Sequence, residues 1–166
     1  MTFDFLQPIE IELFEDESLY PFLRNGNVQL LDDSNYYPDE IHIAILGIKE
    51  SRGHSTNQGC AFAPDEIRKA LYSLIPETSE WKIGDLGNIE SGNELTDTYA
   101  AVETTVHELL ADGVTPIILG GSEDLFYGVY KALRNYYQHF NWLHLDEKLE
   151  LNKAYKDVHA LSYLYK

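Results

Sequence analysis

From Ile41 onward the apolar positions follow two rhythms in alternation. Short continuous runs, "IHIAILG", "WKIGDLGNI", "VTPIILGG" and "FNWLHLD", read as strands buried on both faces. Between and after them, apolar residues recur at helical spacing. "PDEIRKALYSLI" carries Ile67, Leu71 and Leu74, with Pro64 in the first turn and Asp65 and Glu66 at the positive helix end. "LTDTYAAVETTVHELLADG" aligns Tyr99, Val102, Val106, Leu109 and Leu110 in one stripe, and Gly113 is the expected stop. "SEDLFYGVYKALRNYY" predicts a helix with Leu125, Val129 and Leu133 inward. "LNKAYKDVHALSYLYK" predicts a last helix on Leu151, Tyr155, Val158 and Leu161. The order β-α-β-α-β-α-β-α predicts a three-layer α/β/α domain with a mainly parallel sheet over residues 41–166. Pro116 must then sit where no ladder hydrogen bond is needed.

Residues 1–40 keep neither rhythm. They are acidic and irregular and predict an N-terminal arm or edge element. "IEIELFE" alternates as a half-exposed strand would, and "NGN" at 25–27 signals a turn. No internal repeat or low-complexity tract is present.

Charge narrows the partners. Twelve Lys and Arg face 28 Asp and Glu, a formal net charge of −16 that repels phosphate backbones and anionic membranes. Neither nucleic acid nor a membrane is expected as a partner. The acidic opening "MTFDFLQPIEIELFEDE" is not a signal peptide, no apolar run is long enough to span a bilayer, and one cysteine, Cys60, forms no internal disulfide. A reducing cytoplasm is the expected setting, with Cys60 a buried, inert thiol. Twelve tyrosines, many clustered, suit packing at the core edge, an interface or carbohydrate binding.

In open parallel sheets, ligands bind beyond the carboxyl ends of the strands. Two such ends carry candidate chemistry. In "GGSED", two glycines allow a tight turn, Ser122 can cap the next helix, and Glu123 and Asp124 complement its dipole. A helix start explains the stretch as well as a metal site does. No "GK[ST]" follows, and two carboxylates would face any phosphate, so an anion cradle is excluded. In "LHLDEKLEL", His144 and Asp146 share a strand face, and Asp146, Glu147, Lys148 and Glu150 crowd its end. Such carboxylates form a Mg²⁺ or Mn²⁺ site or a solvated turn.

Taken in order, four stretches resemble the arginase and ureohydrolase family. "HIAILGIKESRGHSTNQGCAFAPDEIRKAL" is similar to its first strand, loop and helix start, and "IGDLGNI" to its "D.GD" segment. "VTPIILGGSEDL" is similar to the strand entering "GGDHS", and "NWLHLDEKLEL" to the strand entering "DAHTDL". The resemblance covers residues 41–151 and leans to the formimidoylglutamase branch. It implies the N-terminal half of an arginase-like fold. It also implies hydrolysis of amidine or guanidine C–N bonds by a hydroxide held between two Mn²⁺ ions.

Residue by residue, the resemblance places Glu123 at the "GGDH" histidine, Asp146 at the first aspartate of "DAHTD", Lys148 at its histidine and Glu150 at its last aspartate. Glutamate can ligate Mn²⁺, whereas a charged lysine has three donors and no acceptor. Lys148 would instead pair with Glu123, Asp146 or Glu150 and relieve their repulsion in place of the metals. The family's later "D.D" pair has no counterpart. Arg52, His54 and Asn57, in the loop after the first strand, are candidates to contact a substrate carboxylate, or are solvated. Arg68 resembles a structural helix arginine that pairs with a nearby acid, and Asp85 is expected to organise a loop. His107, His139 and His159 suit solvated faces, and no "G.S.G" elbow supports a serine hydrolase.

Three functional expectations follow. The first is a ureohydrolase relative with a degraded manganese site, needing no cofactor and inactive as this chain. The second is a working metallohydrolase, with Mn²⁺ on a non-standard ligand set and the missing half present. The third is a non-catalytic binding or assembly module, joining copies of itself or a C-terminal half through an exposed sheet edge.

Overall fold

The computed structural model describes residues 4–10, 13–14, 16–75, 80–143 and 145. Its centre is a five-stranded sheet made of β1 (Leu6–Gln7), β2 (Val28–Leu30), β3 (Ile43–Lys49), β4 (Ile83–Glu90) and β5 (Thr115–Leu119). The order β4-β3-β5 is parallel throughout. β2 pairs parallel, and β1 antiparallel, with successive parts of the other edge of β4. Helices α1 (Pro21–Arg24) and α2 (Ala63–Tyr72) lie on one face, and α3 (Leu95–Ala111) and α4 (Phe126–Tyr136) on the other. This is the expected three-layer α/β/α architecture.

The pleat of β3 divides the core. Ala44, Leu46 and Ile48 face α3 and α4, where they join Leu86, Ile89, Val102, Val106 and Leu109. Ile45 faces the other way, toward Tyr72, Phe14, Val28 and Leu119. The expected α3 stripe is inward, with Tyr99, Val102, Val106 and Leu109 buried and Leu110 partly so. A reciprocal capping box between Glu94 and Asp97 opens α3. The left-handed Gly113 closes it, and the Val114 amide reaches back to the Leu109 carbonyl at 2.9 Å. β5 bonds β3 from the Thr115 amide (2.9 Å to the His42 carbonyl), so the alternate residue Pro116 turns its missing donor away from the ladder.

The face that α2 buries is partly polar. Pro64, Arg68 and Tyr72 go inward, while Ile67 and Leu74 stay exposed. The cause is Asp85 on β4. Arg68 grips it with two bonds, Nε to Oδ2 at 2.7 Å and Nη2 to Oδ1 at 2.9 Å, and Tyr72 donates to Oδ2 at 2.5 Å. Arg68 also donates to Asn88 Oδ1 at 2.7 Å and to the Gly87 carbonyl at 2.8 Å. All three side chains, Arg68, Asp85 and Tyr72, are fully buried. A bulge makes this geometry available: Ile45 pairs with Asp85 but Gly47 with Asn88, one extra residue on β4. The extra residue brings Asp85 and Asn88 onto one face, which simple alternation would not do. Gly47 leaves the room, since a Cβ there would lie 2.0 Å from Asn88 Oδ1. Arg68 thus pairs with an acid as expected. Asp85 is a buried strand residue rather than a member of a loop, although its Oδ1 does hold the Gly87 amide at 2.9 Å.

Two expected strands are absent among the described residues. In "IEIELFE" the strand has already ended at Gln7, before Pro8. The chain turns with the Leu13 amide on the Glu10 carbonyl, which brings Phe14 into the core. In "FNWLHLD" the described residues 140–143 and 145 are not in a strand. Phe140 and Trp142 pack back onto Tyr130 and Phe126 of α4 instead of extending the sheet. The expected helix on Leu151, Tyr155, Val158 and Leu161 lies outside the described residues, as do His144 and His159.

Removing one partner of the buried clamp leaves an uncompensated charge. Arg68→Met should therefore cost about 3–5 kcal/mol in urea unfolding. Arg68→Lys should recover little, because a lysine cannot reproduce the two-pronged bond. An Arg68→Met/Asp85→Leu double variant should be more stable than Arg68→Met alone.

Candidate functional site

The chain leaves β3 for α2 on one face and leaves β5 for α4 on the other. The strand order therefore reverses between β3 and β5, and their carboxyl ends form the topological switch point. The loop 50–58 and the turn 120–125 meet there. The Ser122 amide donates to the Glu50 carbonyl at 2.9 Å, and the Gly121 amide to the Cys60 carbonyl at 3.2 Å. Gly120 and Gly121 both take left-handed φ, +66° and +78°. A Cβ on Gly120 would also strike Pro64 of α2 at 2.5 Å.

Two acids dominate this junction. Glu50 is buried, and burial alone would push its carboxyl up. Three kinds of donor outweigh that and hold it at about 2. Arg52 supplies Nε at 3.0 Å to Oε1 and Nη2 at 2.5 Å to Oε2, the Ser51 and Arg52 amides each donate at 2.9 Å, and Thr98 Oγ1 donates at 2.9 Å. Asp124 is also fully buried, with Tyr99 donating its hydroxyl to Oδ2. It packs so close to the loop that a Cβ on Gly53 would lie 1.8 Å from Oδ1. Asp124 Oδ1 and Ser122 Oγ are buried without a hydrogen-bond partner among the described residues. Cys60 is partly buried, with its thiol toward the Glu50 carbonyl at 3.8 Å. Burial raises the thiol pKa, and the charges of Asp124 and Glu50 add to the rise.

The sequence-derived candidates fall as follows. Arg52 lies at the junction, but its guanidinium is committed. Beyond Glu50 it donates to the Asn93 and Gly92 carbonyls at 2.9 and 2.8 Å, pinning the loop to the start of α3. His54 Nδ1 accepts from the Asn57 and Thr56 amides at 3.0 and 3.3 Å and so shapes its own loop. Asn57 is exposed. Glu123 begins a 3-10 turn, Glu123–Leu125, and is partly buried. Ser122 stands at the cap of that turn, yet its side chain makes no cap bond. Asp146, Lys148 and Glu150 lie outside the described residues. His107 is half-buried against Tyr136, and His139 is exposed. Among the described residues, no three His, Cys, Asp or Glu side chains converge as a metal site would require. Glu50 escaped sequence reasoning, although a sole acid right after an apolar strand, two residues before an arginine, was the available signal.

Comparison with known proteins agrees with this architecture. The Arginase family model matches residues 41–162, and the chain belongs to that family. It is 38% identical over 97 residues to a formimidoylglutamase of Hahella chejuensis, covering 57% of this chain and 30% of that protein. It is 33% identical over 121 residues to a Geobacillus formimidoylglutamase, covering 68% of this chain and 37% of the relative. The chain thus spans about a third of the length of these curated relatives. Among solved structures, the formiminoglutamase of Trypanosoma cruzi with Mn²⁺ superposes with a TM-score of 0.65. Its identity is 22%, over 80% of this chain and 49% of that one. The agmatine ureohydrolase of Thermoplasma volcanium gives a TM-score of 0.52 at 29% identity, over 61% of this chain and 37% of that one. Among the described residues no helix is long and apolar enough to cross a membrane.

Two outcomes test the junction. Because the folded pKa of Glu50 is depressed, its contribution is present in full above the ordinary value of 4.5 and is lost as pH falls from there toward 2. The acid limb of a stability–pH profile should therefore flatten in Glu50→Gln. Gly53→Ala should cost about 1–3 kcal/mol by overpacking, read by thermal or urea unfolding.

Proposed function

We propose that this chain is a formimidoylglutamase-like member of its family whose dinuclear manganese centre is dismantled, and that as it stands it does not hydrolyse amidine or guanidine bonds. The observation that carries this reading is the donor set. By the resemblance of "GGSEDL" and "LHLDEKLEL" to the family's motifs, the ligand positions would hold Glu123, Asp146, Lys148 and Glu150. Three can donate an oxygen pair to Mn²⁺, but the fourth is an ammonium with no lone pair while charged, and it repels a cation. These residues do not fit the two-metal centre of the family pattern.

The switch-point geometry supports the same reading. The acids that β3 and β5 bring to the junction serve the protein itself. Glu50 is saturated by Arg52, Thr98 and two amides, and Asp124 is packed on Gly53 and bonded by Tyr99. Arg52, the best-placed group to hold a substrate carboxylate, spends most of its donors on Glu50 and on carbonyls. Lys148 then serves as an internal cation for the remaining carboxylates.

Manganese loading followed by dialysis and elemental analysis tests this, together with assays on formimidoylglutamate, agmatine and arginine. The expected result is substoichiometric manganese and no turnover. Lys148→Met should lower the thermal midpoint and make it rise with added Mn²⁺. Near-stoichiometric manganese in the unmodified chain, or turnover that chelation abolishes, would overturn the proposal and restore the metallohydrolase.

A further inference from the structure

At the far end of α4 a cleft of about 470 Å³ is lined by Tyr130, Arg134, Tyr137, Phe140 and Trp142, together with Gln138, His139 and Asn141. Its walls are aromatic. Tyr130 and Phe140 meet edge to face at 5.9 Å, and Trp142 lies tilted against Phe126 at 5.8 Å. Tyr137 and Trp142 remain 43% and 41% exposed, so ring surface is available to a ligand. Among the described residues the lining holds no carboxylate, in a chain where 28 of 166 residues are acidic. Its one arginine has no ion pair or side-chain hydrogen bond to any other described residue. By contrast, Lys131 is paired with Glu103 and Lys49 with Asp65.

We propose that this cleft binds a small organic anion carrying a planar ring. The recognition chemistry follows from the residues present. A guanidinium presents a planar fork of donors that matches a carboxylate or phosphate. Tyr and Trp rings take a flat partner by offset or edge contact. The Gln138 and Asn141 amides can each donate to or accept from ring heteroatoms. The strongly negative remainder of the surface would repel an anion, so binding depends on Arg134 rather than on the general field. Arg134 lies in the last turn of α4, where it also complements the helix dipole. A purely structural role there would affect stability without any ligand dependence. The cleft is formed by α4 and the described residues that follow it.

Fluorescence gives a direct test, because the chain has only two tryptophans, Trp81 and Trp142. In a Trp81→Phe background, Trp142 alone reports. Adenosine 5′-monophosphate supplies ring and anion, adenosine the ring alone, and inorganic phosphate the anion alone. Indole-3-acetate supplies a second ring with a carboxylate. At least one of the two ring-bearing anions should quench Trp142 saturably. Adenosine and phosphate should each bind at least about tenfold more weakly. Arg134→Gln should weaken binding of the anion by about tenfold or more, the loss of one charge-assisted contact, while leaving the thermal midpoint nearly unchanged. Saturable binding that Arg134→Gln does not weaken would overturn the proposal. So would equal binding of adenosine and the monophosphate, or no saturable quenching by either ring-bearing anion.

Discussion

The bidentate bond between Arg68 and Asp85 fixes more of this molecule than any other contact. It draws a charged side chain of α2 to the middle of the sheet, where only a matched acid can receive it. That sets the rotation of α2, buries Pro64 and Tyr72, and leaves Ile67 and Leu74 outside. Pro64, held in place this way, lies directly against Gly120. The turn after β5 is therefore shaped by a helix from the opposite layer, and the loop after β3 is bonded to that turn through Glu50 and Cys60. One buried ion pair thus reaches the switch point through a chain of packing contacts.

At the switch point the fold presents acids, and their surroundings decide what they can do. Glu50 and Asp124 share a burial that would be costly for an unpaired charge. Glu50 meets that cost with five donor atoms, two on the Arg52 side chain, one on Thr98 and two amides of the loop backbone. Asp124 meets it partly, through Tyr99 and close packing on Gly53. Both carboxylates, of Glu50 and Asp124, are buried in the protein.

Much of the architecture was legible before any coordinates, because its signals are local. Pro64 and Gly113 mark helix ends through local backbone geometry that needs no tertiary partner. The run at 41–47 is apolar because β3, between β4 and β5, is covered on both sides, whereas β5 ends the described sheet and leaves Ile117 exposed. What escaped depends on register and helix phase. Nothing in "IGDLGNI" marks the bulge that brings Asp85 and Asn88 onto one face. In "GGSED" the neighbours Glu123 and Asp124 are equivalent on paper, and only the phase of the 3-10 turn sends Asp124 inward. "FNWLHLD" has the composition of a strand, but its aromatic rings find closer partners on α4.

The central claim is that the crevice between β3 and β5 has exchanged metal ligation for internal pairing. Paramagnetic broadening reads this directly. Mn²⁺ titrated into isotope-labelled protein should leave the amide signals of Gly120–Asp124 and Ser51–Asn57 broadened no more than those of other acidic surface segments. Selective loss of those signals at stoichiometric Mn²⁺ would place a metal in the crevice and contradict the account.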